Sequence, residues 1–162
     1  MPTFAELWSN HPTIKGDTPL LDTRVYENQC AINMSASLMR SGIDLKSFTG
    51  ARSWEKDKPK YPIRAEELAG WLDKNAALLP GKITKFSGKD VPGSFDKING
   101  KTGVLFLKDY YGPGQSGDHI DLFSKNRMTT LFSWFRIATG FSYEGRFSDY
   151  RKSKAVWFWE VK

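Results

Sequence analysis

The 162-residue chain has one cysteine, Cys30, and only two histidines, His11 and His119. A single cysteine excludes an internal disulfide, so the fold has to stand on its core. Cys30, His11 and His119 are far apart in sequence and lack the closely paired ligands of a zinc site. Neither a metal nor a cofactor is expected. No apolar run approaches the roughly 20 residues that a membrane-spanning helix requires, and no membrane insertion is expected. The opening residues "MPTFAELWSNHP" lack the charged start and apolar stretch of a secretory signal, so export by a cleaved signal peptide is not expected. Dense basic runs are also missing. Lysine and arginine exceed aspartate and glutamate by 24 to 18, which gives a net charge of +6 and favours an acidic partner. The basic residues are nonetheless scattered singly or in pairs such as Arg151 and Lys152, which argues against a nucleic-acid tail. The loop "GPGQSG" is a poor phosphate cradle, because it has no lysine and precedes a strand rather than a helix.

The length suits one domain, 1–162, with a core of its own. Thr3 and Glu6 have the spacing of a capping box ahead of "FAELW", which predicts a short N-terminal helix. Asn28 is the expected N-cap of a second helix with Cys30 in its first turn. Ile32, Met34, Ala36, Leu38 and Met39 are its expected buried residues, and Gly42 its stop. A polar loop from Asp44 to Pro62 precedes a helix over Arg64–Leu79. "KITKF" reads as a short strand and "VPGSFDKING" as a turn with a brief helix. The apolar run "TGVLFLKDYY" suits a strand buried on both faces, paired antiparallel with "HIDLF" across the glycine-rich loop. "AVWFWEV" is a final strand, and the aromatic segment "TTLFSWFRIATGFSYEGRF" reads as a short helix or an irregular flap. Helices first and an antiparallel sheet after them describe an α+β domain.

The chemistry rests on Cys30 and His119. A helix N-terminus favours the thiolate, which is the reactive form of cysteine. A cysteine nucleophile also needs a nearby base. His11, in "NHPT", reads as a loop residue, whereas His119 opens a strand where an imidazole is accessible. The competing reading is a buried structural cysteine and a satisfied strand histidine, both common. A helix-borne cysteine followed by a strand-borne histidine is the layout of papain-like enzymes.

The stretches "NQCAINMS" (Asn28 to Ser35) and "GDHIDLF" (Gly117 to Phe123), with the "FAELW" helix and the tryptophan-rich last strand, resemble the type VI secretion amidase effectors, particularly the fourth amidase effector family. The resemblance implies a papain-like, NlpC-like fold and a cysteine amidase toxin. Such a toxin is carried by secretion tube or spike components into the periplasm of a target bacterium. There it cuts peptidoglycan peptide stems at the amide between D-glutamate and meso-diaminopimelate, and a cognate immunity protein protects the producer. On this reading Cys30 attacks the carbonyl, and His119 takes the thiol proton and returns it to the departing amine. The Cys30 N–H is the expected oxyanion donor, with Tyr26, Asn28 or Gln29 as possible side-chain partners.

The third member departs from the family pattern. Its aspartate lies further along, at the position that Thr130 fills here. Asp121 is the nearest substitute, because residues two apart on a strand share a face. Asn126, Thr129 and Thr130 are alternatives, while Asp118 should point the other way. Tyr110, Tyr111 and Trp54 are groove candidates, and Trp134 is expected in the core. A related acyl-transfer enzyme acting on another bond and a non-catalytic binding module stay open as alternatives.

Overall fold

A computed structural model describes residues 1–111, 117–129 and 153–162. Two short helices, α1 (Phe4–Asn10) and α2 (Pro12–Lys15), open the chain. They are followed by α3 (Cys30–Arg40) and α4 (Ala65–Lys74), and then by α5 (Ser94–Ile98) after the first strand. The strands are β1 (Ile83–Ser87), β2 (Thr102–Tyr111), β3 (Gly117–Ser124), β4 (Arg127–Met128) and β5 (Ala155–Glu160). They form one antiparallel sheet in the order β1-β5-β2-β3-β4. This is the α+β architecture expected from the sequence.

Alternation along the central strands divides the core. Val104 and Phe106 of β2, with Ile120 and Leu122 of β3, pack with Leu7 of α1, Met34 and Leu38 of α3, and Leu68 and Leu72 of α4. Leu105 and Leu107 join Phe95 and Ile98 of α5 and Phe158 of β5 in a second cluster. β2 is thus buried on both faces.

The capping box at Thr3 and Glu6 is present, with Thr3 N–H donating to Glu6 Oε2 at 2.7 Å. Gly42 ends the α3 region in the left-handed conformation, with φ of 91°, as its stop position requires. α3 is buried more completely than a one-sided stripe allows, with every residue from Ala31 to Leu38 enclosed. Its small residues permit this, and its polar ones are bonded: Ser37 Oγ donates to the Leu7 carbonyl at 2.7 Å, and Ser35 Oγ to the Ile32 carbonyl at 2.9 Å. Met39 departs from expectation and is exposed, because it lies one position beyond the enclosed run. The expected helix over Arg64–Leu79 stops at Lys74 and continues as a 3-10 turn over Ala76–Leu78.

Candidate active site

Cys30 is the first residue of α3. The expected cap is displaced by one residue. Gln29 occupies the N-cap position without a side-chain bond, while Asn28 Oδ1 accepts the Cys30 N–H at 3.1 Å. Asn28 thus satisfies a helix-start donor from one residue further out. The Cys30 N–H, expected as an oxyanion donor, is therefore engaged in the resting structure. Of the side chains proposed to assist it, Tyr26 is turned away: its ring is buried, and its hydroxyl accepts the Trp54 N–H at 3.0 Å. Gln29 Nε2 donates to the Tyr26 carbonyl at 2.7 Å. Asn28 is the exposed one of the three, with Nδ2 at 3.5 Å from the Asp118 carbonyl.

The beginning of β3 meets this helix end. Cys30 Sγ lies 3.8 Å from the Asp118 carbonyl oxygen, a weak thiol contact. The Asp118 side chain turns elsewhere, its Oδ1 accepting the Asp109 N–H at 2.9 Å. Asp109 has φ of 50° and sits in the irregularity between Leu107 and Tyr111, where the β2–β3 register shifts. The carboxylate so holds the bulge that positions the strand beside Cys30. Burial raises its pKa.

His119 and Asp121 lie on one face of β3, opposite Leu107 and Leu105 of β2. His119 Nε2 is 3.5 Å from Asp121 Oδ2, and 17% of the imidazole side chain is exposed. Burial by itself would lower the imidazole pKa, but hydrogen bonds to Asp121 and Cys30, with their charges, outweigh it and raise the value to about 9. Asp121 is only 2% exposed. Burial works against its charge, yet His119, His11 and Thr129 together keep its pKa lowered.

Asp121 is bound from several sides. Thr129 Oγ1 donates to its carboxylate at 2.7 Å, the Thr129 N–H reaches Oδ2 at 3.3 Å, and the Leu122 N–H reaches Oδ1 at 2.7 Å. His11 Nε2 stands 3.4 Å from Oδ1. Thr129, read as an alternative orienter of the imidazole, thus binds the carboxylate instead, because the β3–β4 turn brings it beside Asp121. Asn126 is exposed in that turn, its N–H donating to the Ser124 carbonyl. Thr130 and Trp134, the glycine-rich loop 112–116 and the rest of the aromatic segment lie outside the described residues. Tyr110 and Tyr111 end β2, and Trp54 is 63% exposed, its ring centroid 4.8 Å from that of Tyr26 with the planes inclined at 54°.

A pocket of about 210 Å3 joins Cys30, His119 and Asp121 to Asn28, Gln29, Asn33, Thr129 and His11. Sequence reading missed His11, treating it as a loop residue, although it is only 2% exposed. The available signal was scarcity: a chain with two histidines has only two imidazoles to place near a reactive thiol. Among the described residues no cluster of histidine, cysteine and carboxylate side chains has the makings of a metal site.

A thiol at a helix start, an imidazole in the same pocket and a carboxylate beside that imidazole are the parts of a cysteine acyl-transfer site. Residues 26–159 match the family described as type VI secretion system (T6SS), amidase effector protein 4. The chain belongs to this family. It is therefore an amidase effector of type VI secretion, a peptidoglycan hydrolase class. Among solved structures it is similar to the Tae4 effector from Enterobacter cloacae, with 20% identity, TM-score 0.67, and coverage of 100% of this chain and 98% of that one. The Enterobacter cloacae Tae4-Tai4 effector-immunity complex matches with 21% identity, TM-score 0.64 and coverage of 100% and 99%. The Tae4 effector from Salmonella typhimurium, in complex with the immunity protein Tai4 from Enterobacter cloacae, matches with 17% identity, TM-score 0.66 and full coverage of both chains. These likenesses carry a shared α+β fold. No curated protein matches the sequence.

Proposed function

We propose that residues 1–162 form a single catalytic domain that hydrolyses the amide between D-glutamate and meso-diaminopimelate in peptidoglycan stems, with Cys30 as nucleophile. The observation that carries this is the gathering of Cys30, His119 and Asp121 in one pocket, with His119 Nε2 3.5 Å from Asp121, in a chain of the amidase effector family. The Cys30 sulfur attacks the amide carbonyl, and the carbonyl oxygen becomes an oxyanion. As the carbon–nitrogen bond breaks, His119 gives its proton to the amine and a thioester remains. A water, deprotonated by His119, then hydrolyses the thioester and regenerates the thiol. Asp121 keeps the imidazole oriented and stabilises its charged form, the role that a carboxylate plays behind a catalytic histidine.

The oxyanion takes the Cys30 N–H once Asn28 Oδ1 has turned away, a movement that the exposure of Asn28 permits. One such donor contributes about 3 to 4 kcal/mol to an acyl-transfer transition state. The enzyme is delivered with tube or spike components of the secretion apparatus, acts in the periplasm of the target cell and is held off in the producer by a cognate immunity protein. The effector-immunity complexes of similar fold support that last assignment. Digestion of diaminopimelate-type peptidoglycan, with fragments identified by mass spectrometry, tests the bond. Fragments ending in D-glutamate are expected, and cleavage elsewhere in the stem overturns the assignment.

A further inference from the structure

We infer that His11 is a positioning residue of the active site, a second imidazole that holds Asp121 from the side opposite His119. The inference rests on the reading of Cys30 and His119 as the catalytic pair. His11 caps the short helix α2 with its own ring, Nδ1 accepting the Thr13 N–H at 3.2 Å. A nitrogen that accepts carries no proton, so this bond selects the neutral tautomer with hydrogen on Nε2. That nitrogen is the one 3.4 Å from Asp121 Oδ1. The cap therefore leaves the ring hydrogen on the nitrogen that lies nearest the carboxylate, while Oδ2 is the oxygen next to His119.

The surroundings keep the ring in place and neutral. Arg40, in the last turn of α3, donates to the Asn10 carbonyl at 3.1 Å and pairs with Asp17 at 2.6 Å, bracketing α2 on both sides. Asn10 Nδ2 returns to Ser41 Oγ at 3.1 Å. The helix that begins with Cys30 so anchors at its other end the turn that carries His11. Burial lowers the His11 pKa, Asp121 and Asp17 oppose that, and His119 and Arg40 add to it. Protonation of Nδ1 would also break the cap. Asp121 is thus met by a neutral donor, which fixes it without competing for the proton that His119 carries.

Two substitutions separate the cap from the donor. In His11→Asn the amide reaches the Nδ1 position and keeps the cap, since asparagine is a favoured N-cap, but nothing faces Asp121. In His11→Gln the amide nitrogen reaches the Nε2 position and restores the donor. The readouts are turnover of murein stems and the pH profile of Cys30 alkylation by iodoacetate, an anion drawn to the imidazolium. His11→Asn is expected to fold, with a lowered melting temperature, and to lose about ten- to a hundredfold in kcat, the size of one hydrogen bond to a charged group. The alkaline limb of its alkylation should move down by about one pH unit. His11→Gln should stay near wild type in both readouts. A wild-type alkylation profile in His11→Asn overturns the inference. Should His11→Asn not fold, ring-nitrogen NMR of the wild type decides: hydrogen on Nε2 with Nδ1 bare supports the role, and any other neutral tautomer overturns it. If wild type leaves murein uncut, the amidase assignment fails, while alkylation still judges His11.

Discussion

The substitution Asp121→Asn tests the electrostatics of the site most sharply. Asparagine has nearly the same shape as aspartate, but one of its two terminal atoms is a donor. Asp121 Oδ1 is met by the Leu122 N–H and His11 Nε2, and Oδ2 by the Thr129 N–H and His119 Nε2. Either orientation of the new amide sets a donor against a donor. His119, held at about 9 in wild type, then loses a principal support while the burial that lowers it remains. If the whole elevation is lost, the imidazole returns to about 6.5 or below. At pH 8 a group of pKa about 9 is roughly 90% protonated, and one of about 6.5 only about 3%. The loss from protonation alone is therefore about thirtyfold at pH 8 and close to nothing at pH 6. Loss of orientation adds a factor that does not vary with pH. The assay is kcat/KM on a diaminopimelate-type stem peptide at intervals from pH 5 to 10. The ratio of wild type to Asp121→Asn should climb with pH, as the alkaline limb moves down from about 9. A ratio constant across that range, with the limb unmoved, refutes the assignment of Asp121 as the support of His119.

The same pair couples folding to pH. His119 titrates higher in the folded chain than in the unfolded one, so its contribution is complete below about pH 6.5 and is lost as pH rises through about 9. Denaturant titrations should show wild type weakening over that window and Asp121→Asn weakening less. Thr129→Val removes the buried hydroxyl that donates to Asp121 at 2.7 Å, and should cost about 1.5 to 3 kcal/mol of stability by the same measurement. It should also lower the alkaline limb of activity. Gly103→Ala should destabilise by about 1 to 3 kcal/mol or more, because its Cβ would overlap the Trp159 carbonyl oxygen where β2 meets β5. A melting temperature unchanged in Gly103→Ala would contradict that register.

The two ends of the active site differed in how legible they were. Cys30 at a helix start and His119 on a strand followed from local pattern: a turn, an apolar helix, a glycine-rich loop and an alternating strand. The pairing of His119 with Asp121 followed from the two-residue period of a strand, and the structure places them on one face. What encloses the carboxylate depends on tertiary contacts. Thr129 reaches it only because β3 turns back through β4, and His11 only because Arg40 and Asn10 tie α2 to the far end of α3. "NHPT" has the ordinary look of a turn, and nothing in its spacing points to a residue 110 positions away. Asn28 shows the same limit on a smaller scale. Its residue type marked it as a helix cap, but whether it would fill the cap position or take the Cys30 N–H from outside depended on backbone angles at Gln29. The burial of all sides of α3 was also beyond the pattern, because a helix stripe gives one face and the sheet, α1 and α4 supply the others.

The most direct measurement is a digest of purified diaminopimelate-type peptidoglycan by wild type and by Cys30→Ala, compared by chromatography and mass spectrometry. Wild type should release fragments cut after D-glutamate, and Cys30→Ala, folded to the same circular dichroism spectrum, should release none. Fragments from both proteins would contradict Cys30 as the nucleophile, and fragments from neither would contradict peptidoglycan as the substrate.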